Sequence, residues 1–154
     1  MTKVLHKAFS NIKSQTIQEV KSIVNEGFYK KNDSEKMKEL LALSGKLSNI
    51  YKAPFITDLL ILRHPLTYFI FGRYDGSNRI IYIRKPSIVS FLHEYRHHLQ
   101  RCRRAKIVKT IEYDAQAWAC SVFYNACPNL FKEAVANNRI MGLKMLKNGE
   151  IINQ

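Results

Sequence analysis

Two histidines four positions apart, with a glutamate beside the first, are the residues in this chain best suited to chemistry. The segment reads Phe91-Leu92-His93-Glu94-Tyr95-Arg96-His97-His98, in the pattern H-E-x-x-H. On a helix, positions i and i+4 share a face, so the imidazoles of His93 and His97 can reach one metal ion. Glu94 projects beside that face, where a carboxylate can take a proton from a metal-activated water. Catalytic zinc commonly has three protein ligands, and two histidines with one glutamate is one such set.

A third ligand is expected downstream, in Glu112-Tyr113-Asp114-Ala115-Gln116-Ala117-Trp118-Ala119. Residues 98 to 111 are enough to finish one helix, turn and begin an antiparallel one. Glu112 is the preferred ligand. Ala115 and Ala119 continue its face at i+3 and i+7, and small residues there let two helices approach closely. Asp114 is the competing ligand, or a partner that orients a histidine. Gln100 continues the His93–His97 stripe and is a candidate supporting group. His98 lies one turn from Glu94 and could tune it, although a surface position is the favoured reading. Val89, Leu92 and Leu99 form the packing face of the motif helix. Trp118 belongs in the core or over the metal.

At these residues the chain resembles the gluzincin class of zinc peptidases, and most of all the small ImmA/IrrE-type and minimal-gluzincin domains. The resemblance covers roughly residues 66 to 128 and rests on His93, Glu94 and His97, then on Glu112, Ala115, Trp118, Ala119, Val122, Phe123 and Pro128. Arg96 stands where the family often has a small residue. The resemblance implies a zincin-like fold with Zn(2+) on His93, His97 and Glu112. It also implies metalloendopeptidase activity with Glu94 as general base, and a protein or peptide as substrate.

The elements that must position these groups are legible in outline. Apolar residues at helical spacing run from 3 to about 27, ending at Gly27, and again from about 34 to 51, with Asp33 or Ser34 as the N-cap. Residues 55 to 62 are expected to form a strand. Residues 66 to 74 and 79 to 84 are rich in aromatic and β-branched types, and Asp75-Gly76-Ser77-Asn78 between them signals a hairpin. Pro86 or Ser87 starts the motif helix. A final helix is expected from Pro128 to about 147. The fold class is therefore α+β: N-terminal helices, a short antiparallel sheet, the H-E-x-x-H helix and then the glutamate helix. One domain, 1–154, is expected, with a helical region at 1–52, the metal-binding core at 54–128 and a C-terminal helix and tail at 129–154.

Composition narrows the partners. The 154 residues carry a formal charge of +13 and three cysteines, Cys102, Cys120 and Cys127, without C-x-x-C spacing. No disulfide framework is expected. No apolar run reaches the length of a bilayer span, and no signal-peptide pattern opens the chain, so a cytoplasmic location is expected. The charge favours an acidic protein or nucleic acid as a partner. Its densest cluster is Arg96, Arg101, Arg103, Arg104, Lys106 and Lys109, at the end of the motif helix. Two alternatives to the peptidase are a nucleic-acid-associated basic protein and a regulatory metal-binding module without general proteolysis.

Overall fold

A computed structural model describes residues 12–63 and 71–140. The chain is a small α+β domain of five α-helices and a three-stranded sheet among the described residues. α1 (Ser14–Asn25) leads through a short 3₁₀ turn to α2 (Asp33–Tyr51). Strands β1 (Asp58–Ile61), β2 (Gly72–Asp75) and β3 (Ile80–Ile83) follow. α3 (Ile88–Arg101) carries the histidine motif, α4 (Ile111–Ala126) carries Glu112, and α5 (Pro128–Ala136) closes the described chain. No described helix is long and apolar enough to cross a membrane.

The expected N-terminal helix is present from Ser14; its first part lies outside the described residues. Gly27 ends it with φ 89°, a left-handed conformation that glycine adopts without a Cβ penalty. The cap of α2 is Asn32, one position before the expected Asp33 or Ser34. Its side chain accepts from Glu35 N–H while the Glu35 carboxylate accepts from Asn32 N–H, a reciprocal capping box. Ser87 caps α3, as expected, by accepting from Ser90 N–H.

The sheet is mixed rather than antiparallel. β2 and β3 form the expected antiparallel hairpin, but β1 runs parallel to β3, and the order is β1-β3-β2. The second strand of the hairpin, β3, therefore lies in the middle, between β1 and β2. Asp75 organises the turn: its carboxylate accepts from Ser77 N–H, Asn78 N–H and the Asn78 side chain. These bonds hold the Asp75 carboxyl below its ordinary pKa.

α5 stops at Ala136, well short of 147. Asn138 takes φ 52°, Asn138 N–H bonds to Val135 O and Arg139 N–H to Ala134 O. This is a Schellman ending, for which asparagine is the usual substitute for glycine. The remainder of the expected helix, from residue 141, lies outside the described residues.

The core fills the space between sheet and helices. Ile81 and Ile83 of β3, Phe91, Leu92, Tyr95 and Leu99 of α3, and Leu40, Leu43 and Leu47 of α2 are all essentially inaccessible. Trp118 is 1% exposed, edge-on to the Tyr51 ring and stacked by the Arg96 guanidinium, so it is a core residue. Val89 differs from Leu92 and Leu99: it is half-buried and lines a cavity. The three cysteines are free thiols.

Candidate metal centre

The metal-motif residues sit in the middle of α3, and Glu112 in the first turn of α4. Thr110, two residues before the glutamate, caps α4 by accepting from Tyr113 N–H, and the helix starts at Ile111. The two helices pack more extensively on each other than any other pair of elements. Ala115, Ala117 and Ala119 are fully buried on α4, so no side chain there holds the helices apart.

This packing brings three ligand atoms together. His93 Nε2 and His97 Nε2 are 3.1 Å apart. The Glu112 carboxylate approaches each of them, Oε2 at 3.2 Å from His93 and Oε1 at 3.2 Å from His97. Nitrogen and oxygen donors about 2.05 Å from a tetrahedral zinc are about 3.3 Å from one another. The histidine pair is close to that value, but a different carboxylate oxygen faces each histidine; with one ligand atom taken from each residue, the three lie within 4.8 Å of one another. Asp114 is not part of this group.

The other ring nitrogens explain why these faces point inward. His97 Nδ1–H donates to Gln100 Oε1 at 2.8 Å, and His93 Nδ1–H donates to Gln116 Oε1 at 2.8 Å. Gln100 cannot turn its amide over, because its Nε2 donates to Ile111 O at 3.0 Å and to Asp114 Oδ2 at 2.8 Å. With both Nδ1 atoms protonated, two Nε2 lone pairs and a carboxylate converge on one point. A cation satisfies all three. Without one, a proton serves: burial opposes protonation of His93, but the hydrogen bond it then donates to Glu112, the Glu94 charge and Gln116 outweigh it and raise its pKa. The His93 hydrogen bond in turn lowers the pKa of Glu112 against its partial burial.

Glu94 lies in the same cleft and is 6% exposed. Its carboxylate is packed against the backbone of Gly72 at the start of β2. A Cβ on Gly72 would stand 2.5 Å from Glu94 Oε1 and 2.8 Å from its Cγ. Burial pushes the Glu94 pKa up to about 7, with His93 opposing and Glu112 adding to the rise.

Three neighbouring residues are held by partners of their own. Asp114 is 0% exposed and is held by Arg96 through two hydrogen bonds, of 2.8 and 3.2 Å, and by Val108 N–H. Its carboxylate therefore orients His97 through Gln100 rather than facing the ligand atoms. Arg96 is no part of a solvated basic surface; it is buried in this pair and also donates to Lys106 O. His98 is buried, not superficial: its Nε2–H donates to Pro54 O and its Nδ1 accepts from Tyr74 O–H, both at 2.7 Å. It ties α3 to the β1 approach and to β2, one turn along the helix from Glu94.

Gln116, Gly72 and Tyr74 carry functions that the linear sequence did not reveal. Gln116 stands at i+4 from Glu112, a spacing that could have flagged it as a partner for a histidine on the facing helix. Gly72 and Tyr74 have no comparable signal, because their roles depend on how β2 crosses α3. Comparison of the chain with protein-family models, with curated proteins and with solved structures returns no match.

Proposed function

We propose that the protein is a zinc-dependent peptidase in which His93, His97 and Glu112 hold the ion and Glu94 moves the proton. The observation that carries this reading is the convergence of two imidazole nitrogens and a carboxylate, within 4.8 Å of one another, with a buried carboxylate in the same cleft. Two imidazoles and one carboxylate suit zinc, and three protein ligands leave a position for exchange. When bound, zinc supplies a Lewis acid that polarises a peptide carbonyl and acidifies water.

The chain's own residues supply the rest. Glu94, with its pKa raised to about 7 by burial, can accept the proton of an attacking water near neutrality and return it to the leaving amine. Gln100 and Gln116 keep each imidazole in the Nδ1–H tautomer. β2 borders the cleft and has a strand neighbour on one side only among the described residues. An extended substrate backbone can add to that edge as a further strand.

The test joins metal content to turnover. Purified protein is expected to carry about one zinc per chain by the three-ligand stoichiometry, and Glu112→Ala to lose most of it. Glu94→Gln should retain zinc and lose about 10²- to 10⁴-fold in peptide hydrolysis, the usual contribution of a general base. Folded wild-type protein that takes up no added zinc sinks the proposal. A Glu94→Gln variant that cleaves like the wild type removes Glu94 from the mechanism.

A further inference from the structure

The cleft around His97 has two chemically different halves. Toward the start of α3 opens a cavity of about 1090 Å³ whose wall includes Tyr29, Val89, Phe123, Leu130 and Ile140. Of its charged lining groups, Glu133 faces Arg139 at 3.9 Å and the Arg73 guanidinium stacks on Tyr82 at 4.9 Å. Toward the end of α3 lies a second hollow of about 730 Å³, lined by Gln100, Arg101, Arg103 and the turn residues Gly76 and Ser77. His97, Tyr74 and Ile111 border both, so the two hollows flank the ligand cluster.

The second half is positive by construction. Arg101 lies along the β2–β3 turn, its Nε 3.4 Å from where a Cβ on Gly76 would stand. Arg103 takes φ 56° in the helix ending, where Arg103 N–H bonds to Gln100 O and Arg104 N–H to Leu99 O. Both arginines are exposed, and neither forms an ion pair among the described residues.

We propose that the substrate segment bound here is two-faced: acidic side chains on one side of the reactive bond, held by Arg101 and Arg103, and a large apolar side chain on the other. The inference rests on the peptidase reading and names its substrate class. A peptide fits this cleft better than a nucleic acid because its charge can be confined to one half. A nucleic acid carries a phosphate at every residue and would lay charge against Tyr29, Phe123 and Leu130.

The experiment measures binding separately from turnover. Labelled peptides of equal length carry one Phe beside a run of Glu, Gln or Lys, in both chain orders. Their binding to zinc-loaded Glu94→Gln protein is followed by fluorescence anisotropy, with and without Arg101→Glu and Arg103→Glu together. The Glu peptide in one of its two orders should bind about tenfold tighter than the Gln peptide at low salt, as two exposed ion pairs allow. The double charge reversal should abolish or invert that preference. Replacing Phe by Ala should weaken binding about tenfold, by loss of its apolar burial.

Equal binding of Glu and Gln peptides, or a preference indifferent to charge reversal, overturns the acidic half. Indifference to Phe overturns the apolar half. A single-stranded oligonucleotide that binds tighter than the Glu peptide and depends on the same arginines overturns the choice of a peptide. Wild-type protein separates the two proposals: preferred binding without cleavage refutes the peptidase reading, whereas cleavage without preference refutes only this one.

Discussion

Replacing Gly72 by alanine should act first on the Glu94 carboxylate. The added Cβ would stand 2.5, 2.8 and 2.9 Å from Glu94 Oε1, Cγ and Cδ. Ordinary contact begins near 3.4 Å, so the carboxylate must retreat by about 0.9 Å, or β2 must lift away from α3. Neither motion is free. Glu94 is 6% exposed, and Gly72 is held in register opposite Ile83, whose side chain is fully buried. Overpacking of this kind costs about 1–3 kcal/mol. A 1 Å misplacement of a reacting group costs about 10²-fold in rate, which corresponds to about 2.7 kcal/mol.

The decisive assay is a double-mutant cycle by chemical denaturation in the absence of substrate. Gly72→Ala should destabilise the wild type by about 1–2 kcal/mol and a Glu94→Ala background by much less, giving a coupling of about 1 kcal/mol or more. Zinc content should stay the same in all four proteins, because no metal-facing atom is touched. In peptide hydrolysis kcat should fall about 10²-fold while zinc is retained. Equal destabilisation in both backgrounds would refute the reasoning, since the penalty would then lie in the strand and not against Glu94.

Other expectations follow from the same contacts. Arg96→Ala leaves the Asp114 carboxylate buried without its guanidinium; loss of about 3–5 kcal/mol is expected, and an unfolding midpoint within experimental error of wild type would contradict it. Gln100→Ala frees His97 Nδ1 and should weaken zinc binding about ten- to a hundredfold in competition with a chelator, with little change in the far-ultraviolet circular dichroism. Burial holds His98 below the ordinary imidazole pKa against the hydrogen bond to Pro54. Below about pH 6.5 the unfolded chain therefore binds a proton that the folded chain resists. Stability is full above that pH and declines as pH falls. Measured with chelator present throughout, His98→Gln should flatten this slope, and an unchanged slope would assign it to other groups.

The sequence made the local parts of the site legible and hid the long-range ones. His93, Glu94 and His97 follow from helical spacing alone, and Glu112 from room for one turn and a run of alanines. The hairpin was readable because Asp75, Gly76, Ser77 and Asn78 solve their own backbone hydrogen bonding. The parallel pairing of β1 was not, because strand direction depends on a chain path that no local pattern encodes. His98 was read as superficial because a histidine beside a metal motif looks polar; its burial is set by Pro54 and Tyr74, distant in the chain. Arg96 was grouped with its basic neighbours, although only the arrival of Asp114 from α4 decides that it turns inward.

The proposed ligands and the proposed base also differ in how much of the chain must be assembled to use them. His93, His97 and Glu112 lie within one helical hairpin, closed by the segment 98–111 and locked by Arg96, Asp114 and Gln100. Bringing those ends together costs little loop entropy, so an ion held there would grip a small cooperative unit. Glu94 reaches its buried state only when β2 lies across that hairpin. On the proposed reading, metal capture and proton transfer would thus belong to successive tiers of folding. Amide exchange of zinc-loaded protein should then find the hairpin protected even when β2 frays.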